Sequence, residues 1–194
     1  MFRIAFQEAD MDLTGQVLIA MPGMSDPRFV RSVVFICAHS DEGAMGLIVN
    51  KPAKDVTLKE VLSRLDVMAD DRAEDALVYI GGPVETERGF VLHRDAHRLN
   101  EDTLPIGEGF VLTATQDILV DVAQGVGPEV FVFTLGYAGW AAGQLESEIL
   151  QNAWLTAPAT PELIFETVGV AMWETALRSI GINPITLSGA AGRA

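Results

Sequence analysis

The sequence contains only one cysteine, Cys37, so no disulfide can form within the chain. This thiol lies in the apolar run VVFICA, where a buried and unreactive side chain is the expected state. No apolar run approaches the roughly 18 residues that a membrane span requires. The first ten residues also lack the basic and long apolar segments of a secretory signal. We therefore expect a cytoplasmic protein without a membrane segment.

Basic side chains are also scarce, above all in the second half of the chain. The 194 residues contain 13 Lys and Arg against 27 Asp and Glu, a formal net charge of −14. Residues 99–194 contribute only Arg178 and Arg193 against eleven acidic residues. A surface that neutralises nucleic-acid phosphates needs clustered Lys and Arg. Direct binding to nucleic acid is therefore disfavoured.

Familiar catalytic, metal-binding and cofactor motifs are missing. The GxSxG nucleophile elbow does not occur. His93 and His97 are four residues apart, but a predicted strand ends between them, and no third ligand has a familiar spacing. Gly81 and Gly82 could form an anion-binding nest, yet close approach of another backbone is the simpler interpretation of this pair. We predict no cofactor and no metal.

The sequence does contain apolar strands that alternate irregularly with amphipathic helices. The helix that begins at Thr57 is the clearest, because Thr57 and Glu60 match a capping box and Leu58, Val61 and Leu62 share one face. Strands are predicted over 15–21, 31–40, 45–51, 77–84, 88–94, 109–115 and 129–136. Further helices are predicted over 117–124, 143–151 and 166–181, with single turns near 25–29 and at 160–161.

These elements predict one domain of the α/β (α+β) class with a mixed sheet. The absence of a linker or repeat places the domain at residues 15–187. We expect residues 1–14 to form a flexible leader and residues 188–194 to form a disordered tail.

The stretch TLGYAGWAAGQLESEILQNAW, residues 134–154, is the strongest candidate for a site. Its glycines follow the predicted end of a strand, where ligands gather in open α/β sheets. Gln144 and Glu148 share one helix face, whereas Glu146 should point elsewhere. Packing explains most of this run, with Trp140 folded under the helix as an anchor. Replacement of a buried Trp140 by Ala should cost about 3 kcal/mol or more.

Three ordered motifs carry a resemblance to the YqgE/AlgH family of bacterial proteins. They are GQVLIAMPGMSDPRFVRSVVFICAHSDEGAMGLIVNKP at 15–52, GGPV with RGFVLH within 81–93, and LGYAGWAAGQLESEILQNAWL at 135–155. The resemblance implies a single domain with a bifurcated sheet and a small barrel-like portion surrounded by helices. It implies no established activity, although some members are labelled transcriptional regulators.

Our leading hypothesis is a non-catalytic protein that binds a protein partner or a small ligand near the glycine-rich segments. The alternatives are an enzyme in which Glu148 and either His39 or His93 act as acid and base, and a regulator that binds DNA, which the charge disfavours. The positions that match the family motifs and combine backbone freedom with polar groups are Pro22, Asp26, Asn50, Gly81, Gly82, Trp140, Gln144 and Glu148.

Overall fold

A computed structural model describes residues 12–68, 76–94 and 103–185. Over these residues the chain forms nine strands and five helices. The strands are β1 Gln16–Ala20, β2 Val33–Ser40, β3 Gly43–Ile48, β4 Val78–Ile80, β5 Val84–His93, β6 Thr103–Ile106, β7 Phe110–Thr113, β8 Phe131–Ala141 and β9 Trp154–Pro158. The helices are α1 Leu58–Arg64, α2 Gln116–Ala123, α3 Gln144–Leu150, α4 Pro161–Glu166 and α5 Gly169–Ser179.

The strands form one sheet in the order β6-β7-β5-β8-β3-β2-β1-β9, with β4 added alongside β8. Among the described strands only the β4–β8 pair is parallel. The sheet curls into a half-barrel, so the predicted α+β class and mixed, bifurcated sheet are confirmed. The predicted tail and most of the predicted leader lie outside the described residues, so both stay predictions.

The sheet divides at β8, and here the prediction was wrong about where a strand ends. The predicted strand stops at Gly136, but β8 continues to Ala141 through the glycine-rich stretch. Its first half pairs with β5 and β4, and its last four residues pair with β3. The change of partner is possible because Gly136 has a φ of +74°, which kinks the strand without ending it.

The predicted helices are present, but their first and last residues differ from the prediction. The capping box of α1 is confirmed, because Thr57 accepts a bond from the Glu60 N–H and Glu60 accepts one from the Thr57 N–H. The helix predicted over 166–181 begins only at Gly169, after two extended residues. Near the turn predicted at 25–29 the chain turns at residues 27–31 without forming a helix, and the Asp26 carboxylate accepts the Arg28 N–H at the start of this turn.

Strands β1, β2 and β3 are covered on both faces. One face packs against helix α5 through Met172 and Trp173, and the other packs against α3 through Leu145. A third core cluster lies between the first half of β8 and helices α1 and α2. Of the helices in the described residues, none has both the length and the apolar character needed to cross a bilayer.

Candidate functional site

Strands β8 and β9 place two tryptophans on a single carboxylate, that of Glu148 on helix α3. Trp140 and Trp154 each donate the indole N–H to Oε2 of Glu148, at 2.9 and 2.8 Å. The two rings meet edge to face with centroids 6.1 Å apart, and both are buried. Gln144 donates to the other oxygen of Glu148 at 2.9 Å and accepts a bond from the Ala141 N–H. This arrangement fixes α3 to the end of β8.

The structure thus brings together three of the predicted site residues, Trp140, Gln144 and Glu148. Three of the four lone-pair positions of the Glu148 carboxylate already accept hydrogen bonds from the protein. A general base needs a free lone pair directed at the substrate. The geometry therefore favours a structural task for Glu148.

A histidine and a carboxylate do meet beside this corner, but the carboxylate is Glu146. His39 Nε2 lies 2.8 Å from Oε1 of Glu146, and His39 Nδ1 accepts the Leu13 N–H at 3.1 Å. Because Nδ1 is an acceptor, the proton is on Nε2 and this nitrogen donates to Glu146. The pKa of Glu146 is lowered, chiefly by a bond from its own backbone N–H and further by His39. Glu146 thus points to β2 and away from the face that Gln144 and Glu148 share, as predicted, although the sequence did not indicate its histidine partner.

Both ring nitrogens of His39 are therefore occupied by protein groups. Its side chain is 5% exposed, and the backbone N–H of His39 also donates to the Thr14 hydroxyl. The contacts hold Leu13, which is buried, against the end of β2. These hydrogen bonds therefore hold the segment that precedes β1 in place.

Gly81 and Gly82 lie against the backbone of β8. A Cβ on Gly82 would lie 2.1 Å from the carbonyl carbon of Tyr137, and one on Gly81 would lie 2.2 Å from the Gly136 oxygen. The Gly81 N–H donates to Leu135, so it is not available to an anion. The interpretation of this pair as a close approach of two backbones is confirmed.

Asn50 is a buried bridge between three segments of the chain. Its side chain accepts the Val33 N–H at 2.8 Å and donates to the carbonyl oxygens of Arg31 and Gly169 at 2.9 and 3.1 Å. Every polar group of this amide is used by the protein, so a ligand would have to displace a structural bond.

Pro22 and Asp26 lie in the exposed turns that follow β1. Asp26 forms an ion pair with Arg28 at 2.7 Å, and this bond is the main reason that the pKa of Asp26 is lowered. Lys51 donates to the Arg28 carbonyl oxygen, which connects these turns with the end of β3. The predicted site residues therefore belong to four different places: the α3 corner, the division of the sheet, the buried bridge at Asn50, and the turns after β1.

The remaining sequence candidates have contacts that explain them. His93 is buried and its Nε2 lies 3.0 Å from the Thr113 hydroxyl, whereas His97 lies outside the described residues. Burial raises the pKa of the Cys37 thiol to about 12, which leaves almost no thiolate at neutral pH. Within the described residues, no three His, Cys, Asp or Glu side chains are grouped to hold a metal ion.

The half-barrel contains a pocket that the sequence did not indicate. It has a volume of about 390 Å³ and is formed by one face of the adjacent strands β6, β7, β5, β8 and β3. Its lining is Met45, Arg88, Phe90, Leu104, Leu112, Ala114 and Tyr137. Tyr137 was noticeable in the sequence between two glycines, but the other residues are ordinary members of apolar strands. Only the curl of the sheet brings them together.

A second hollow, of about 450 Å³, lies between helices α4 and α5. Its polar lining includes the exposed carboxylates of Glu162 and Glu166 and several hydroxyl groups. Of the two hollows, the half-barrel pocket combines apolar walls with a few polar groups, which is the usual composition of a small-molecule site.

Comparison with known proteins agrees with the motifs quoted above. The family model described as DUF179, AlgH-like, matches residues 17–185. A UPF0301 protein of Methylobacterium nodulans is 53% identical over 189 residues, which cover 94% of this chain and 90% of that protein. A UPF0301 protein of Ruegeria pomeroyi is 51% identical over 185 residues, covering 95% of this chain and 100% of the relative.

Solved structures show the same fold. The solution structure of the AlgH protein from Pseudomonas aeruginosa is 40% identical, with a TM-score of 0.78 and 97% of both chains covered. A crystal structure of a protein from Corynebacterium diphtheriae shares the fold at 24% identity, with a TM-score of 0.67 over 93% of this chain and 92% of that one. The chain therefore belongs to the AlgH-like, UPF0301 family of proteins.

Proposed function

We propose that this protein is a non-catalytic cytoplasmic protein that binds a small ligand in the half-barrel pocket. One observation carries the proposal: the pocket of about 390 Å³ has apolar walls and two polar side chains, Arg88 and Tyr137. The described residues provide no hydrogen-bond partner for the Tyr137 hydroxyl, which leaves this group available to a ligand.

The composition of the lining supports binding over catalysis. Among the described residues that line it there is no carboxylate and no imidazole, the groups that most often transfer protons in hydrolytic sites. The acid and base candidates His39, Glu146 and Glu148 are hydrogen-bonded to other protein groups at the α3 corner. Any regulatory effect of the protein would then pass through its ligand or through a protein partner.

The proposal also changes where the binding residues lie. The sequence hypothesis placed them near the glycine-rich segments, and Tyr137 lies directly after the kink at Gly136. Gly81 and Gly82 let the backbone pass close to β8 at the point where the sheet divides. The pairing of β5 with β8, which forms one wall of the pocket, begins there. In this proposal the glycines shape the pocket, and the ligand contacts come from β3, β5, β6, β7 and β8.

A neutral apolar fluorophore, N-phenyl-naphthylamine, tests the proposal. Its emission should rise when it binds the wild-type protein, and the rise should be lost in Ala114→Trp, where the larger ring fills the pocket. Ala171→Trp, which adds the same ring at an exposed position of α5, should bind the dye like the wild type. Circular dichroism confirms that each variant is folded. Equal binding by Ala114→Trp and the wild type, or no binding by the wild type, would overturn the proposal.

A further inference from the structure

The pocket has one charged side chain, Arg88, at its rim. The guanidinium lies over the Phe90 ring with its carbon 5.2 Å from the ring centroid, and Nη1 donates to Oε2 of Glu85 at 3.0 Å. The Arg88 side chain is 55% exposed and that of Glu85 is 49% exposed. The guanidinium has five N–H donors, and the single bond to Glu85 leaves most of them available.

An irregular segment of β5 presents this pair. The pairing of β5 with β8 moves from Val84 opposite Tyr137 to Gly89 opposite Leu135. Residues 85–88 therefore lie opposite the single residue Gly136 and form a wide bulge. Glu85 has a φ of +45°, which is uncommon for a residue with a side chain. The bulge lifts Glu85 and Arg88 out of the regular strand and places them beside the pocket.

The Arg88–Glu85 pair can be exchanged for a pair between Arg88 and a ligand. Ion pairs between exposed side chains contribute little to stability, because water screens them. Arginine binds carboxylates and similar oxyanions through two parallel N–H bonds, and Phe90 holds the plane of the guanidinium in place. An oxyanion that arrives with an apolar body in the pocket therefore competes effectively with Glu85 for the single bond that Arg88 donates to it.

We infer that the pocket binds an amphipathic monoanion, with its apolar body against Phe90, Leu112 and Met45 and its carboxylate or other oxyanion on Arg88. This inference rests on the proposed function, because it specifies the ligand class of the same pocket. Charge complementarity carries it: of the lining residues that the structure describes, Arg88 alone is charged, and the others are apolar apart from Tyr137. Elsewhere a protein of net charge −14 repels anions, so an anionic ligand requires such a local cation.

Two dyes that differ by one sulfonate group test the inference. N-phenyl-naphthylamine is neutral, and anilinonaphthalene sulfonate adds an oxyanion to the same apolar body. In Arg88→Gln we expect the affinity for the sulfonate dye to fall about tenfold, the loss of one charge-assisted pair, with the neutral dye unaffected. In Glu85→Gln, which frees the guanidinium, we expect the sulfonate dye to bind severalfold more tightly. Added salt should weaken the binding of the sulfonate dye and leave the binding of the neutral dye unchanged, because salt screens the interaction between charges.

Arg28→Gln is the matched control, since Arg28 is also exposed, pairs with Asp26 and lies over the Phe29 ring at 5.8 Å, and it is not one of the lining residues. It should leave both dyes unaffected. If the neutral dye binds and Arg88→Gln leaves the affinity for the sulfonate dye unchanged, the inference is wrong and the proposed function stands. If neither dye binds the wild type, both fail.

Discussion

At the residue scale, the contacts of Glu148 explain why the α3 corner is rigid. One of its carboxylate oxygens accepts the N–H groups of two buried indole rings, Trp140 and Trp154. A buried indole N–H needs an acceptor, and a charged acceptor strengthens the bond. Phe29 packs edge to face on Trp154 at 5.5 Å, which extends the cluster to the turn after β1. The two rings and the carboxylate thus stabilise one another.

We expect Trp140→Ala to lower the free energy of unfolding by about 3 kcal/mol or more, because the ring is 7% exposed and its loss leaves a cavity. Urea unfolding followed by circular dichroism measures the change. Trp140→Phe is the control: it keeps most of the apolar area and loses one hydrogen bond, so about 1–2 kcal/mol is expected. A Trp140→Ala variant as stable as the wild type would show that the ring is not a packing anchor.

The residue scale also shows where prediction from the sequence ends. The spacing of Gln144 and Glu148 correctly indicated that they are neighbours on α3, because four residues make about one helical turn. No local pattern could indicate that His39 bonds to Glu146, since 107 positions separate them in the chain. Contacts of this kind depend on the sheet order, which a single sequence does not reveal.

At the element scale, β8 determines how the sheet is divided. Its first half lies between β5 and β4, and after Gly136 it becomes the neighbour of β3. The glycines were expected to end the strand because they weaken strands in general. Here Gly136 takes a left-handed conformation that kinks β8, while Gly81 and Gly82 allow the connecting backbone to come into contact with it. Gly136 therefore changes the direction of β8, although glycine often ends a strand.

We expect Gly136→Ala to destabilise the protein by about 2–5 kcal/mol. The left-handed backbone at φ +74° costs a residue with a Cβ roughly 1–2 kcal/mol, and this Cβ would lie 2.6 Å from the Gly82 oxygen, which adds an overpacking cost of about 1–3 kcal/mol. Gly107→Ala is the control, because its φ is +54° and nothing lies within 4 Å. Thermal and urea unfolding should rank Gly136→Ala well below Gly107→Ala. Equal losses would exclude close packing as the reason for glycine at position 136.

At the scale of the whole molecule, the curl of the sheet creates the pocket and the charge limits its partners. Five neighbouring strands contribute one wall residue or more to the pocket, and apart from Arg88 in the bulge and Tyr137 after the kink these residues are ordinary members of apolar strands. The formal net charge of −14 produces a repulsive field for polyanions over most of the surface. A small anion can bind at Arg88 because it contacts only the residues around the pocket. A DNA duplex is much larger and would be repelled by the net negative charge of the protein.

We expect no retention of the protein on immobilised duplex DNA, even at low salt, because the chain lacks the clustered Lys and Arg that would release counterions. Column retention at increasing ionic strength measures this directly. A protein that is retained at low salt and released steeply as salt rises would contradict the expectation and would support direct action on DNA.

The sequence by itself determined the apolar strands, the capped helix α1, the acidic charge and the family, because these depend on neighbouring residues and on composition. It did not reveal β6, β9, the full length of β8 or the lining of the pocket. Only the three-dimensional structure shows which strands are neighbours, which N–H groups donate to Glu148, and that Arg88 lies over the Phe90 ring beside an apolar pocket. These features depend on contacts between segments that are distant in the sequence, and such contacts form only when the strands assemble into the curved sheet.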